Sequence, residues 1–246
     1  MWKPFTIVGD NHGDMEDKEA VKIFHKFVKD YQPTIRIHLG DNWDFRPLRS
    51  KASKIEQLEL MMPDFKQGIE FIKKYRPTHF LRGNHDERLW DLAKRNEGML
   101  SEFADRLVHN IEYILKQFKA PILPYDKRNG VLQIGKLRVI HGYTHGVNAA
   151  KRSAEAYGSV IMGHVHSTQT SSIPGLDYRV GRSNGCLCRL DMEYSRATMA
   201  SLAHNHGWAY GIINSNTGEY GIWQAENING LWMFPKDIKI MKGENR

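Results

Sequence analysis

The sequence predicts a layered α/β fold with substantial sheet, on three observations. Short β-branched runs alternate with helical stretches through the earlier part of the chain. Strand follows strand, with Gly or Asn turns, after residue 168. Five apolar runs each end in a loop that carries Asp, Asn or His.

Taken in order, residues 5–8 read as a first strand that runs straight into Gly-Asp-Asn-His-Gly. Residues 16–30 place Ala20, Ile23, Phe24 and Phe27 at helical spacing. Residues 35–39 form a second strand leading to Gly-Asp, and residues 55–75 a helix with a break near Pro63. Residues 78–81 form a third strand before Gly-Asn-His-Asp. Residues 87–118 are mainly helical, interrupted near Gly98, and residues 87–120 are expected to insert a helical cap into a single domain spanning 1–246. Residues 131–134 and 137–140 pair around Gly135; residues 148–157 form a short helix; residues 159–162 form a strand running into Gly-His-Val-His.

Composition narrows the function classes. With 246 residues, 41% of them hydrophobic and 26% charged, the chain can bury a core, which excludes a disordered chain. A net charge of +7 favours an anionic partner such as nucleic acid or nucleotides. Two cysteines, Cys186 and Cys188, exclude a disulfide framework and suggest a reducing compartment. The start of the chain lacks a signal-peptide pattern and no stretch is apolar enough to span a membrane, so the expected location is the cytoplasm, with no membrane partner.

Ligand sites in α/β sheets lie off the carboxyl ends of the strands, so neighbouring strands would bring these loops to one place. Together they offer Asp10, His12, Asp41, Asn84, His141, His164 and His166. Two carboxylates, four imidazoles and one amide suit divalent manganese, zinc, iron or nickel. Seven side chains exceed one tetrahedral site and suit two ions if a carboxylate bridges them. Glycine stands beside nearly every one of these residues, as crowded loops require.

The blocks Gly9-Asp10-Asn11-His12, Gly40-Asp41-Asn42-Trp43-Asp44, Gly83-Asn84-His85-Asp86, His141-Gly142 and Gly163-His164-Val165-His166 together resemble the calcineurin-like metallophosphoesterase superfamily. The resemblance implies a four-layer αββα sandwich of two mixed sheets flanked by helices. It implies that Asp10, His12 and His166 hold one metal, that Asn84, His141 and His164 hold the other, and that Asp41 bridges them. His85 would face the phosphate and protonate or stabilise the leaving oxygen, oriented by Asp44. Two cations (manganese first, then zinc, iron or nickel) about 3.5–4 Å apart would activate a bridging hydroxide for in-line attack. Arg46 and Arg82 are candidates for the phosphate oxygens.

Other residues invite plainer readings. His38 and His79 lie in strands and suit packing, and His25 and His109 suit the surface. His145 is a loop residue four positions after His141, and His204 and His206 lie in a loop near the site rim. Cys186 and Cys188 suit one face of a core strand, and Trp208, Trp223, Trp232, Tyr210 and Tyr220 suit the core. The expected activity is hydrolysis of a phosphodiester in nucleic acid or a nucleotide. The alternatives are a phosphomonoesterase acting on a small molecule, nucleotide or phosphoprotein, and a non-catalytic metal-binding scaffold.

Overall fold

Two mixed β-sheets pack face to face in the computed structural model, which describes residues 1–95, 98–191 and 199–234. In chain order the elements are β1 (Trp2–Val8), α1 (Lys18–Tyr31), β2 (Ile35–His38), α2 (Met61–Tyr75), β3 (His79–Leu81), α3 (Asn84–Lys94), α4 (Gly98–Gln117) and β4 (Ile122–Leu123). There follow β5 (Leu132–Ile134), β6 (Leu137–Ile140), α5 (Ala149–Tyr157), β7 (Val160–Met162), β8 (Gln169–Ile173), β9 (Arg179–Ser183), β10 (Gly207–Asn214), β11 (Tyr220–Ile228) and β12 (Leu231–Met233). The larger sheet has the order β12-β11-β10-β1-β2-β3-β4 and the smaller β5-β6-β7-β9-β8. β1 to β4 are mutually parallel, as are β6, β7 and β9; antiparallel neighbours complete both sheets.

Strand alternation builds the layers. Along β1, Phe5 and Ile7 face the smaller sheet, where they meet Leu137, Val139 and Ile161 in a seam completed by Ile37 and Leu39. Val8 turns the other way, toward α1 and α2, and Thr6 Oγ1 lies 3.0 Å from the Tyr75 hydroxyl of α2. On that side Phe24, Phe27, Phe71 and Tyr75 pack on Trp208 and Tyr210, so these two late aromatics are core. Full burial of a side chain such as Phe24 contributes about 1.5–3 kcal/mol. Across the smaller sheet, Ala149 and Ala154 of α5 cover Ile140, Val160 and Met162. The order of layers is helices, sheet, sheet, helix, as expected.

Local chemistry explains the helix ends. The Asp17 carboxylate accepts the Ala20 N–H at 2.8 Å and starts α1. Pro63 does not break a long helix: it lies in the first turn of α2, where its missing N–H has no intrahelical partner to lose. The helical segment after β3 begins at Asn84, three positions earlier than the sequence suggests, so its first turn carries the Asn-His-Asp motif. Leu89 and Trp90 of α3 and Leu107, Val108, Ile111 and Leu115 of α4 pack with Phe65, Ile69 and Ile72 of α2 along the flank of β3. Cys186 and Cys188 are buried as expected, yet they sit on isolated bridges to His206 and Glu16 and not in a strand.

Candidate metal centre

The loops after β1, β2, β3, β6 and β7 meet at one end of the two sheets. Backbone bonds knit the first two: Asp10 N–H donates to Gly40 O at 3.0 Å, His12 N–H to Asp41 O at 3.1 Å, and Gly13 N–H to Asn42 O at 2.8 Å. Asp10, His12, Asp41, His164 and His166 all take left-handed backbone conformations, with φ of 55, 52, 49, 72 and 53°. Non-glycine residues rarely adopt this region, and such strain concentrates at functional sites. Close approach explains two glycines: a Cβ at Gly83 would lie 2.1 Å from Asp41 Oδ1, and one at Gly163 would lie 2.4 Å from Asp10 Oδ2.

All seven residues singled out as ligands are brought together. His12 Nε2 lies 3.2 Å from His166 Nε2, which lies 3.4 Å from Asp10 Oδ1. Asp41 Oδ2 is 4.0 Å from His12 Nε2 and 3.3 Å from His141 Nε2, and the latter is 3.1 Å from Asn84 Oδ1. Among the described residues four compact groups of possible donors result; Asp10–His12–Asp41 and Asp41–His141–His164 share Asp41, and the others are His12–Asp44–His85 and His12–His166–Cys188. Donors at about 2.0–2.2 Å from one ion lie near 3 Å from each other, the spacing of atoms in a common coordination sphere. Asp10, His12, Asp41 and His141 are almost completely buried; His12 turns Nε2 to this group and Nδ1 to Asp44 Oδ1, 3.8 Å away. The donor set therefore fits divalent cations.

The electrostatics agree. Burial would raise the Asp41 carboxyl, yet His141, His85 and His12 hold it well below the usual range. Burial would lower His141, yet Asp41 and Asp10 raise it to about 9. In the absence of a cation, protons on imidazole balance the buried carboxylates. His38 is a structural residue, as expected: its Nε2 bonds Asn11 Oδ1 at 2.9 Å, and burial lowers it to about 3.

His85 stands beside this set. Its Nδ1–H donates to Asp44 Oδ1 at 2.5 Å, and its Nε2 lies 3.9 Å from Asp41 Oδ2. Burial lowers His85, outweighing Asp41 and Asp44; Asp44 is held well below the usual range because His12 and His85 overcome its burial. Two residues that the sequence reading missed hold this pair. Asp64 accepts N–H bonds from Asp44 at 3.3 Å and Phe45 at 2.6 Å, and Arg88 donates to Asp44 O at 2.9 Å. A signal existed for both. Asp64 is an acid on the apolar stripe of α2, and Arg88 shares a helix face with His85, three positions away.

The two arginines expected at the phosphate are turned to protein carboxylates. Arg46 forks onto Asp14 at 2.8 and 3.0 Å and pairs with Glu59; Arg82 Nε lies 3.2 Å from Glu87, with its guanidinium over Trp90. A cavity of about 300 Å³ opens over the donors and is lined by Asn84, His85, Arg49, His145 and His204 among others. His145 Nδ1 lies 3.0 Å from His164 Nε2, so this loop residue reaches the site. His204 lies beside His166, with ring centroids 5.2 Å apart. The helices α3 and α4 spend their apolar faces on the flank of the larger sheet, and α4 adds no residue to this lining among the described residues. Among the described residues no helix is long and apolar enough to cross a membrane.

A family model described as calcineurin-like phosphoesterase matches residues 3–168. The Gene 54 proteins of Mycobacterium phages D29 and L5 are 29% and 27% identical to this chain over 184 residues, covering 68% of it and 70% of each relative. The solved structure of Chaetomium thermophilum Vps29 has a TM-score of 0.50 at 9% identity, covering 94% of this chain and 92% of that one, a likeness of fold.

Proposed function

Because the chain belongs to the calcineurin-like phosphoesterase family of metal-dependent hydrolases, we propose that it cleaves a phosphodiester in a nucleotide or nucleic acid at a centre of two divalent cations. Asp10, His12 and His166 hold one, Asn84, His141 and His164 the other, and Asp41 both. The observation that carries this reading is the single buried carboxylate, Asp41, common to two donor groups. When bound, the cations supply charge to the phosphoryl oxygens and an attacking water of lowered pKa. Manganese is the first choice for a mixed oxygen and nitrogen set, with zinc, iron or nickel as substitutes.

His85 is the proton donor. Its Nδ1–H is committed to Asp44, so Nε2 is the atom left to serve the leaving oxygen, and ionised Asp44 stabilises the imidazolium that gives up the proton. Asp64 and Arg88 fix Asp44 and thereby His85. With Arg46 and Arg82 turned away, Arg49 is the arginine in the cavity lining among the described residues, and one guanidinium suits a diester better than a monoester. A monoanionic diester needs less neutralising charge than a dianionic monoester. The net charge of +7 suits a polyanionic substrate, and the free thiols of Cys186 and Cys188 suit the reducing cytoplasm.

The test is to strip the protein with chelator, restore manganese, nickel or zinc, and assay bis-p-nitrophenyl phosphate beside p-nitrophenyl phosphate. Restored turnover that favours the diester supports the proposal. Preference for the monoester would replace it with a phosphomonoesterase. Binding of cations without turnover of either compound would argue for a scaffold.

A further inference from the structure

The second ring nitrogen of His166 has a partner of a different kind from that of His141. His141 Nδ1 meets a backbone carbonyl, Leu39 O, at 3.0 Å, the ordinary support for a ligating imidazole. His166 Nδ1 meets the sulfur of Cys188 at 3.8 Å. The opposite nitrogen, Nε2, faces Asp10 Oδ1 and His12 Nε2. For Nε2 to offer a lone pair, the ring proton must sit on Nδ1, and the acceptor waiting there is the thiol.

Cys188 is held where this requires. The N–H groups of Leu187 and Cys188 both donate to Asp10 O, at 3.1 and 3.0 Å, so the sulfur is anchored to the same loop that presents the Asp10 carboxylate. The Cys188 carbonyl accepts from His206 Nε2 at 3.0 Å and from the Cys186 thiol at 3.7 Å. Asn205 N–H, next to His206, donates to His166 O at 2.9 Å. Two segments bridged to each other, 186–188 and 205–206, thus grip Asp10 and His166 respectively. Cys188 is fully buried, so water does not compete for the ring proton. A carboxylate in its place would add a further negative charge to a pocket that already holds Asp10, Asp41 and Asp44. A thiol accepts the proton without adding one.

We infer that Cys188 is a positioning residue for the metal centre: its sulfur takes the Nδ1–H of His166, which fixes the tautomer and keeps Nε2 bare and aimed at Asp10 and His12. The inference rests on the reading that His166 holds a cation. It is tested with wild type, Cys188→Ser, which keeps a small acceptor, and Cys188→Ala, which removes it.

Nitrogen-15 NMR of the imidazole rings in zinc-loaded wild type reads the tautomer directly, and Nδ1–H on His166 is expected. Calorimetric titration with manganese and with zinc should show Cys188→Ala weakened about 10–100-fold at one site and unchanged at the other. Cys188→Ser should lie within a few-fold of wild type. An Nε2–H tautomer in wild type overturns the inference without any variant, which covers the case where Cys188→Ala fails to fold. Equal weakening of Ser and Ala variants also overturns it, since the cause would then be lost packing. A sulfur-to-cobalt charge-transfer band in the cobalt-loaded protein overturns it in favour of direct ligation. Absence of cation uptake by wild type sinks the metal reading itself, and normal uptake with an unaffected Ala variant sinks only the role of the thiol.

Discussion

Asp41 divides its two oxygens. Oδ1 accepts the backbone N–H of His85 at 2.8 Å, at the amino end of α3, where the helix dipole favours negative charge. Oδ2 is left for His141, His85 and His12. Gly83 is the residue that lets the carboxylate come so close. Gly83→Ala is expected to cost about 1–3 kcal/mol of stability through overpacking and to weaken cation binding. Melting of the chelated protein and calorimetric titration check the two effects. His85→Ala should behave differently, leaving cation stoichiometry intact while lowering kcat by about 10²–10⁴-fold. Metal analysis alongside kinetics separates the two cases.

At the scale of elements, α3 is the arm that carries Asn84 and His85, and Asp86 sets its start. The Asp86 carboxylate accepts the Gly83 N–H at 2.9 Å and the Trp43 N–H at 3.1 Å, capping the helix and tying it to the loop after β2. Asp86→Ala is expected to cost about 0.5–2 kcal/mol and to loosen the first turn of α3. Faster amide hydrogen exchange at residues 84–87, with slower turnover, would be the signature. The five motif loops were legible in the sequence because each follows an apolar run and couples Gly to a metal-ligating side chain within a few positions. What was not legible depends on partners remote in sequence. Arg46 was expected at the phosphate, but its destination is set by Asp14 and Glu59, 32 and 13 positions away. β4 is two residues long and becomes a strand only because β3 is there to bond it. The isolated bridges of Cys186 and Cys188 likewise arise from His206 and Glu16.

At the scale of the molecule, stability and metal content are linked through protons. His141 has its pKa raised to about 9 from an ordinary 6.5. A raised value means a favourable contribution that is complete below pH 6.5 and is lost as pH climbs through about 9. The Tm of the chelated protein should therefore fall across that window. With manganese at about 100 times its Kd, stability should rise by about 2.7 kcal/mol, and uptake at neutral pH should release protons. Scanning calorimetry in buffers of different ionisation enthalpy reads both.

The donor set is also a joint. Asp10, His12, Asp41 and Asn84 hang from the larger sheet, and His141, His164 and His166 from the smaller, on either side of the apolar seam. A cation shared by these side chains would rivet the two halves of the molecule together. Its affinity is then a gauge of how the halves are seated. A substitution deep in the seam that touches no donor reaches the chemistry by changing the gap the rivet must close.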